Sequence, residues 1–360
     1  MSPLQGPGLR YQALASNDVD QHASHLSCWQ QQYDQLSQGR FAGTVRELWA
    51  DDGPRLQVFH EHTRQQTSQQ CQPWRGAVWF GIPDGRQHDA LHFCGRLQAP
   101  QATRPVLRAA ADASFTLRTP ADFGIYGVVI DADWLSRRLD TLAVHDAGAH
   151  RAALQAVQVT PAVHRAICRT IESMLHLGAA GQAAQPGGRL ALQTLLDQLL
   201  GLLCGRAAED GPPADTAASR RLATVMLARE LVSRPMNHTT TVDELCAELH
   251  LTRRTLQNHF RSVVGDSPAD FLKAVRMNAC RRKLREGGAT VQDVAAQWGF
   301  FHMGHFAHDY KQMFGELPSQ TLSARSARGS SRSRPARHRP AAGPAASSGR
   351  RPAAAPATAG

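Results

Sequence analysis

The spacing of apolar side chains divides the chain into a β-rich part and a helical part. Between residues 41 and 131, short segments alternate apolar and polar residues and are separated by clusters of Gly, Pro and Asp, which is typical of half-buried antiparallel strands. After residue 133 the apolar residues recur every three or four positions, as in amphipathic helices. The pattern predicts an α+β protein: a cupin-like β barrel or sandwich with added helices, followed by an all-α domain.

Changes in composition mark the domain boundaries. Residues 207–218 are rich in Ala, Gly, Pro and Asp, which predicts an interdomain linker. We therefore assign residues 28–206 to a first domain, after an N-terminal tail at 1–27, and residues 219–322 to a second domain. Residues 323–360 contain almost no large apolar side chain to bury, so we expect a disordered basic tail.

A sequence repeat lies within the second domain. Residues 241–268 recur as residues 290–318, and each copy opens with a threonine followed three residues later by an acid, Glu244 or Asp293. A threonine and an acid at this spacing form a capping box, which fixes the start of a helix. In each copy a tight turn then leads to a second helix, and Gly299 can supply the positive φ for the second turn. The repeat predicts two helix-turn-helix units.

The second helix of each unit combines an apolar stripe with a polar face. Arginine can donate two hydrogen bonds to guanine, glutamine or asparagine can pair with adenine, and an α-helix fits the major groove. A solvated basic surface is the alternative for one such helix, but the duplication favours DNA recognition. The predicted DNA-binding residues are Arg253, Arg254, Gln257, Asn258 and Arg261 in the first unit, and His302, His305, His308 and Lys311 in the second.

A long helix is predicted between the two units. It begins near Pro268 and ends at Gly287, because proline is favoured in the first turn of a helix and glycine at its end. Such a stiff connector would hold the recognition helices about 34 Å apart, which is one turn of DNA. Arg281, Arg282 and Lys283 on this helix are expected either to lie along DNA phosphates or to be solvated.

The charges are unevenly distributed along the chain, whose formal net charge is +10. Residues 1–217 hold 18 basic and 20 acidic residues, residues 218–318 hold 14 and 10, and residues 319–360 hold 8 arginines and no acid. The excess in the C-terminal third would attract a polyanion through phosphate contacts and counterion release. The distribution favours double-stranded DNA as a partner.

The tandem units resemble the DNA-binding domain of the AraC family of transcription regulators. The resemblance covers residues 219–322 and rests on the repeat, the connector, the Gly-Phe pair at 299–300 and the Phe-Gly-x-x-Pro-Ser ending at 314–319. It implies a transcription activator rather than an enzyme, and it adds Met303 to the residues that would face the bases. Because Met303 offers no side-chain hydrogen bond, we expect the second unit to recognise backbone or shape more than bases. Its partners would be promoter DNA, RNA polymerase and a small-molecule effector.

Further segments are similar to regulators of ethanolamine-utilisation operons. They include residues 29–36, 79–83 and 127–129, and the run QWGFFHMGHFA in the second domain. This resemblance implies ethanolamine and adenosylcobalamin as effectors, neither of them a catalytic cofactor. Another small amine, an alcohol or an aromatic acid stays open as the signal, and so does a structural adaptor without any effector. Because strands can enclose a cavity, we expect the effector site, whose residues the sequence does not assign, in the β-rich domain.

Histidines in the β-rich domain suggest a metal-dependent cupin enzyme as the competing hypothesis. His60-Glu61-His62 and the pair His88 and His92 offer imidazole ligands, and imidazole is a common transition-metal ligand. A cupin site needs a further carboxylate shortly after the His-x-His, but Thr-Arg-Gln-Gln-Thr follows here. The chain also has no GxSxG, P-loop or GxGxxG signature. We therefore expect surface or hydrogen-bonded histidines, no metal and no catalysis.

The remaining predictions concern location and assembly. Seven scattered cysteines without CxxC pairs are expected to be free thiols. The N-terminus has no apolar stretch like that of a signal peptide, and no run of about 18 apolar residues occurs, so we expect a soluble cytoplasmic protein without a membrane partner. The leucine-rich helix predicted at 190–204 suits both a core position and a homodimer seam, and the oligomeric state stays open.

Overall fold

The structure is a computed structural model that describes residues 8–51, 55–85, 91–98, 103–144, 154–204, 216–235 and 241–323. Strands occupy most of the chain before residue 160, and helices occupy most of the rest. The strands are β1 (Arg10–Ser16), β2 (Gln30–Gln35), β3 (Gly43–Ala50), β4 (Leu56–Thr63), β5 (Thr67–Gln72), β6 (Ala77–Pro83), β7 (Leu91–Phe93), β8 (Arg96–Gln98), β9 (Arg104–Ala109), β10 (Phe115–Thr119), β11 (Phe123–Asp131) and β12 (Leu154–Val159). The helices are α1 (Val19–Ala23), α2 (Ala132–Thr141), α3 (Pro161–Ala179), α4 (Pro186–Cys204), α5 (Thr216–Ser233), α6 (Val242–Glu248), α7 (Arg253–Val264), α8 (Pro268–Glu286), α9 (Val291–Gln297) and α10 (Met303–Phe314).

The strands form two antiparallel sheets that face each other. One sheet has seven strands in the order β1-β3-β4-β11-β6-β9-β12, and the other has five in the order β2-β5-β10-β7-β8. The described strands of one sheet do not pair with those of the other. The β-rich first domain was predicted correctly, but the two sheets do not close into the cupin-like barrel that was one form of the prediction.

Strand alternation separates the two faces of the seven-stranded sheet. On the inner face, aromatic side chains of both sheets share one core, in which Trp79 stacks on Phe115 with ring centroids 4.1 Å apart. On the outer face, Val58 and Val128 pack against α2, α3 and α4. Four leucines of α4 belong to this outer core: Leu192, Leu196, Leu199 and Leu200. The helix thus takes a core position, which is one of the two roles that its sequence suits, while Leu190 at its start is exposed.

The first domain includes residues before position 28. β1 forms the edge of the seven-stranded sheet by pairing with β3, from Arg10 opposite Trp49 to Ser16 opposite Gly43. Asp18 caps the short helix α1 by accepting a hydrogen bond from the Gln21 amide at 2.9 Å. The prediction of a tail at 1–27 missed this strand because its few apolar side chains are small or scattered and do not alternate regularly with polar ones. Most of the predicted linker at 207–218 and nearly all of the predicted basic tail at 323–360 lie outside the described residues.

The second domain contains the predicted repeat. The capping boxes are present, since the Thr241 and Thr290 side chains accept from the Glu244 and Asp293 amides and both acids bind back to the cap amides. The first turn takes its positive φ at His250 (53°) and the second at Gly299 (77°). A final helical turn begins at Pro318, where the Thr321 hydroxyl lies 2.8 Å from that of Tyr310.

Two further predictions concern the whole chain. All seven cysteines are free thiols, as predicted. Among the helices of the described residues, none combines the length and the apolar character that crossing a membrane requires.

Candidate nucleic-acid interface

The recognition helix of the first unit is α7. Leu256 and Phe260 are fully buried in a core shared with α5, α6 and α8, and Thr252 caps the helix by accepting from the Thr255 amide at 3.1 Å. The opposite side of the helix is polar and open. The predicted residues of this unit are all exposed there: Arg253, Arg254, Gln257, Asn258 and Arg261.

Two neighbouring arginines at the start of α7 have different surroundings. Arg253 donates two hydrogen bonds to Asp243 of α6, Nε at 3.0 Å and Nη2 at 2.8 Å. That ion pair occupies donors that a base would otherwise receive. No described residue binds the Arg254 guanidinium. Arg254, like the exposed Arg261 about two turns further along the helix, therefore has donors that are free to bind a guanine.

The recognition helix of the second unit is α10, which is built on Phe306, Tyr310 and Phe314 in the core. Met303 is half-buried and packs on that core. Three histidines and a lysine remain on the outer face: His302, His305, His308 and Lys311 are exposed. The second unit thus offers imidazoles and one ammonium, and Met303 serves at least partly as a packing residue.

An exposed aromatic residue next to these histidines was missed at the sequence level. Phe301 is 56% exposed and directly precedes His302, at the start of α10. Phe300 and Phe301 are adjacent phenylalanines after Gly299, and the sequence alone does not distinguish them. Phe300, by contrast, packs with its ring centroid 5.2 Å from that of Phe306. An exposed phenylalanine beside polar side chains can contact a thymine methyl group.

The connector between the units is α8, whose 19 residues correspond to a length of about 28 Å. It packs against α5, α7 and α9, so it is part of both helix-turn-helix cores. The predicted spacing of one DNA turn between α7 and α10 stays a prediction.

Charged side chains join the first domain to this connector. We call this group of residues the interdomain ion network. It comprises Asp18, Asp20 and Asp34 of the first domain and Arg229, Arg281, Arg282 and Arg285 of the second.

The connector arginines do not point to DNA. Arg281 donates from Nε and Nη2 to Asp18 at 3.1 and 2.9 Å, and Arg282 donates to Asp20 at 3.2 Å and to Asp34 at 2.9 Å. The prediction that Arg281 and Arg282 lie along phosphates or are solvated is therefore wrong. Their charge is neutralised within the protein because three acids of the first domain surround them.

Asp34 lies at the centre of the network. Its side chain is 0% exposed, and it also accepts from the Arg229 Nε and Nη2 at 3.0 and 2.5 Å. Burial opposes ionisation of Asp18, but Arg281, the Gln21 amide and Arg285 together hold the pKa of Asp18 below its ordinary value. A buried carboxylate stays charged only when it is paired in this way.

The first domain also contacts the C-terminal ends of both recognition helices. Arg118 binds Asp266, just after α7, at 2.5 Å. The Gly39 amide donates to the Gln312 carbonyl of α10 at 2.9 Å. Between these points, the Asn278 side chain exchanges hydrogen bonds of 3.0 and 2.8 Å with the backbone of Gln35. The first domain thus contacts both units while the predicted DNA-binding side chains stay exposed.

Two histidines of the competing enzyme hypothesis, His60 and His62, are held by hydrogen bonds, whereas the Nδ1 atom of the buried His92 has no hydrogen-bond partner among the described residues. His60 lies 3.4 Å from Asp84, and its ring packs on Tyr126 at 4.5 Å. His62 lies 2.9 Å from Asp122. Glu61 points to the opposite face and binds His22 at 2.8 Å. His88 lies outside the described residues. In the described part of the chain, no three His, Cys, Asp or Glu side chains are arranged to hold a metal.

Comparison with known proteins supports the assignment of the second domain. Residues 245–324 match the family model described as "Helix-turn-helix domain". The chain is 34% identical over 101 residues to the "Probable thc operon regulatory protein" of Rhodococcus erythropolis, which is 27% of this chain and 30% of that protein. It is 28% identical over 96 residues to the "XylDLEGF operon transcriptional activator" of Pseudomonas putida, or 26% of this chain and 30% of that one.

A solved structure is also similar to part of the chain. A probable AraC family transcriptional regulator from Rhodopseudomonas palustris is 32% identical and covers 29% of this chain and 97% of that chain, with a TM-score of 0.26. The chain spans about 30% of the length of the curated relatives that it matches.

The two capped units and their connector define the second domain as a tandem helix-turn-helix DNA-binding domain. This domain is similar to that of regulators of operons.

Proposed function

We propose that the protein is a sequence-specific transcription activator of the AraC family that binds promoter DNA and acts on RNA polymerase. The supporting observation is the pair of capped helix-turn-helix units whose recognition helices expose polar side chains. The relatives matched by this region are a regulatory protein and a transcriptional activator of operons. Phosphate contacts would position the domain, and base contacts would select the site.

The two units divide recognition between them. Arg254 would donate to a guanine, and Gln257 or Asn258 would pair with adenine, from the exposed side of α7. In the second unit His305 and Lys311 would contact base edges or phosphates. With α7 and α10 in successive major grooves, the bound sequence would contain two short motifs one turn apart.

Selection of duplexes from a random DNA library tests this proposal. The full chain should enrich two motifs centred about 10 base pairs apart. The double variant R254A/K311A should fail to enrich them, and R169A, which removes an exposed arginine on α3, should select the same site. A library without enrichment, or a single motif that requires only one unit, would contradict the proposal.

We infer that the first domain binds a small-molecule effector and passes its effect to DNA binding through the interdomain contacts. This inference is supported by the contacts of Arg118, Gly39 and Asn278, which connect the β-rich domain to both units. An effector that binds one docked arrangement better than another would shift the population of DNA-competent molecules.

Ethanolamine together with adenosylcobalamin is the effector pair proposed from sequence resemblance. Calorimetric titration with each compound, alone and together, in the presence of the selected DNA tests it. Tighter DNA binding only when both are present is the expected result. Unchanged DNA affinity would favour the alternative that the protein responds to another effector.

A further inference from the structure

A cavity of about 420 Å³ lies on the outer side of the seven-stranded sheet. It is bounded by α2, by α4 and by the sheet where β3 ends at Ala50 and β4 begins at Leu56. Its volume falls within the range of small-molecule sites. None of the residues lining it belongs to the interdomain ion network or to a recognition helix, so it is a separate site.

The floor of this cavity is apolar. Leu56, Leu192 and Leu196 line it and are 3%, 8% and 4% exposed. Trp134 of α2 is half-buried and forms part of its wall. A hydrocarbon group placed on this surface would be removed from water, which is favourable in proportion to the apolar area covered.

Cationic side chains surround the apolar floor. Arg137, Arg138 and Arg189 line the cavity, and its described lining contains no acid. Asp197 binds Arg138 through both carboxylate oxygens, at 2.8 and 2.5 Å, which joins α2 to α4 and fixes that guanidinium.

Arg137 has no such partner. Its side chain is exposed at the cavity, and no described residue binds its guanidinium. An apolar floor beside a free guanidinium is complementary to a molecule with a hydrocarbon body and one carboxylate, since arginine binds carboxylate with two parallel hydrogen bonds.

We propose that this cavity binds a small amphipathic carboxylate, either aromatic or branched aliphatic. The hydrocarbon part lies on Leu192 and Leu196, and the carboxylate accepts hydrogen bonds from Arg137. This proposal rests on the proposed function in one respect: the ligand acts as effector only if the chain is a regulator. It favours an acid over ethanolamine at this site, because an ammonium group would lie among three guanidinium groups.

Calorimetric titration of the full chain without DNA tests the proposal. The probes are sodium benzoate, sodium 3-methylbutyrate and the neutral analogue benzyl alcohol. Both carboxylates should bind, and benzoate should bind about tenfold tighter than benzyl alcohol, because the alcohol makes no charge-assisted bond. R137Q should weaken benzoate binding about tenfold, whereas R169Q, which removes an exposed arginine outside the cavity, should bind like the parent chain.

Tryptophan fluorescence supplies a second measurement. Benzoate should change the emission of the parent chain, and W134F should lose most of that change. Equal affinity for benzoate and benzyl alcohol, equal loss in R137Q and R169Q, or no carboxylate binding at millimolar concentration would overturn the proposal. Because the titration contains no DNA, its failure leaves the DNA selection result intact, and a failed selection leaves the binding result intact.

Discussion

At the scale of single residues, Arg253 and Arg254 show how one ion pair distinguishes adjacent side chains of the same type. Asp243 binds the Arg253 guanidinium, so that side chain contributes to the geometry between α6 and α7. Arg254 has the same charge but no described partner. The sequence placed both on the polar face of α7 and could not separate them, because Asp243 lies ten positions away on the preceding helix.

The first prediction concerns Arg254. R254A should reduce affinity for the selected DNA by about 1–3 kcal/mol and relax the preference at one base position, because a bidentate contact to guanine discriminates between bases. R253A should relax the preference at that base position less than R254A does. Binding measured across single-base variants of the site is the readout. Uniform weakening on all sequences would show that Arg254 contacts phosphate instead.

The second prediction concerns His92. Burial, assisted by the charge of Arg118, lowers the pKa of His92 to about 4. Below pH 6.5 the unfolded chain takes up a proton that the folded chain excludes until about pH 4, so the free energy of unfolding falls as the pH drops through this window. The contribution is on the order of 2 kcal/mol.

The variant H92Q should lose this part of the acid destabilisation. Urea unfolding at several pH values between 7 and 4.5 measures the effect as a smaller slope than in the parent chain. H308Q, which changes an exposed histidine on α10, is the control and should keep the parent slope. Identical slopes in all three proteins would show that His92 is protonated as easily in the folded chain as in the unfolded one.

At the scale of elements, local signals in the sequence were sufficient for the two helix-turn-helix units and their connector, but not for α5, which begins within the predicted linker. The capping boxes at Thr241 and Thr290 and the glycine ends of the helices depend on residues only a few positions apart, so the pattern predicts them directly. β1 was missed because its membership of the sheet depends on pairing with β3. The interdomain ion network was missed for a related reason: Asp34 and Arg282 are separated by 248 positions, and isolated charges in a sequence suggest solvation.

The third prediction concerns the capping box of the first unit. T241A should lower the free energy of unfolding by about 1 kcal/mol, because the Glu244 amide loses the acceptor that Thr241 provides at 3.2 Å. T241S keeps the hydroxyl and should stay close to the parent. Chemical denaturation of the three proteins measures the difference. If T241A and T241S were equally stable, a water molecule would accept the hydrogen bond of the Glu244 amide as well as the Thr241 side chain does.

At the scale of the whole molecule, the first domain neutralises the connector and also spans both helix-turn-helix units. Leu36 packs against the core of each unit, and the contacts of Arg118 and Gly39 lie at the C-terminal ends of α7 and α10. The recognition faces point elsewhere. The docked arrangement therefore leaves the predicted DNA-binding side chains exposed, and the rigidity of the docked domain would affect how the two units are spaced.

The fourth prediction tests that docking through the connector. R282E places a negative charge beside Asp20 and Asp34, both of which bind this arginine in the parent chain. Asp20 then loses its ion pair and Asp34 keeps only Arg229, so repulsion between the carboxylates should separate the domains. K283E makes the same change of charge at the next position, where the lysine binds Glu286 of its own helix at 3.0 Å. Small-angle scattering should show a larger radius of gyration for R282E alone.

Amide exchange and DNA binding distinguish separation from unfolding. In R282E the Gln35 amide, which donates to Asn278, should exchange faster, while core amides of α8 stay protected. The same variant should tolerate a wider range of distances between the two DNA motifs, since the first domain no longer connects the units. If R282E matches K283E in radius and in spacing preference, the ion network does not hold the domains together, and the connector α8 alone sets the distance between the recognition helices.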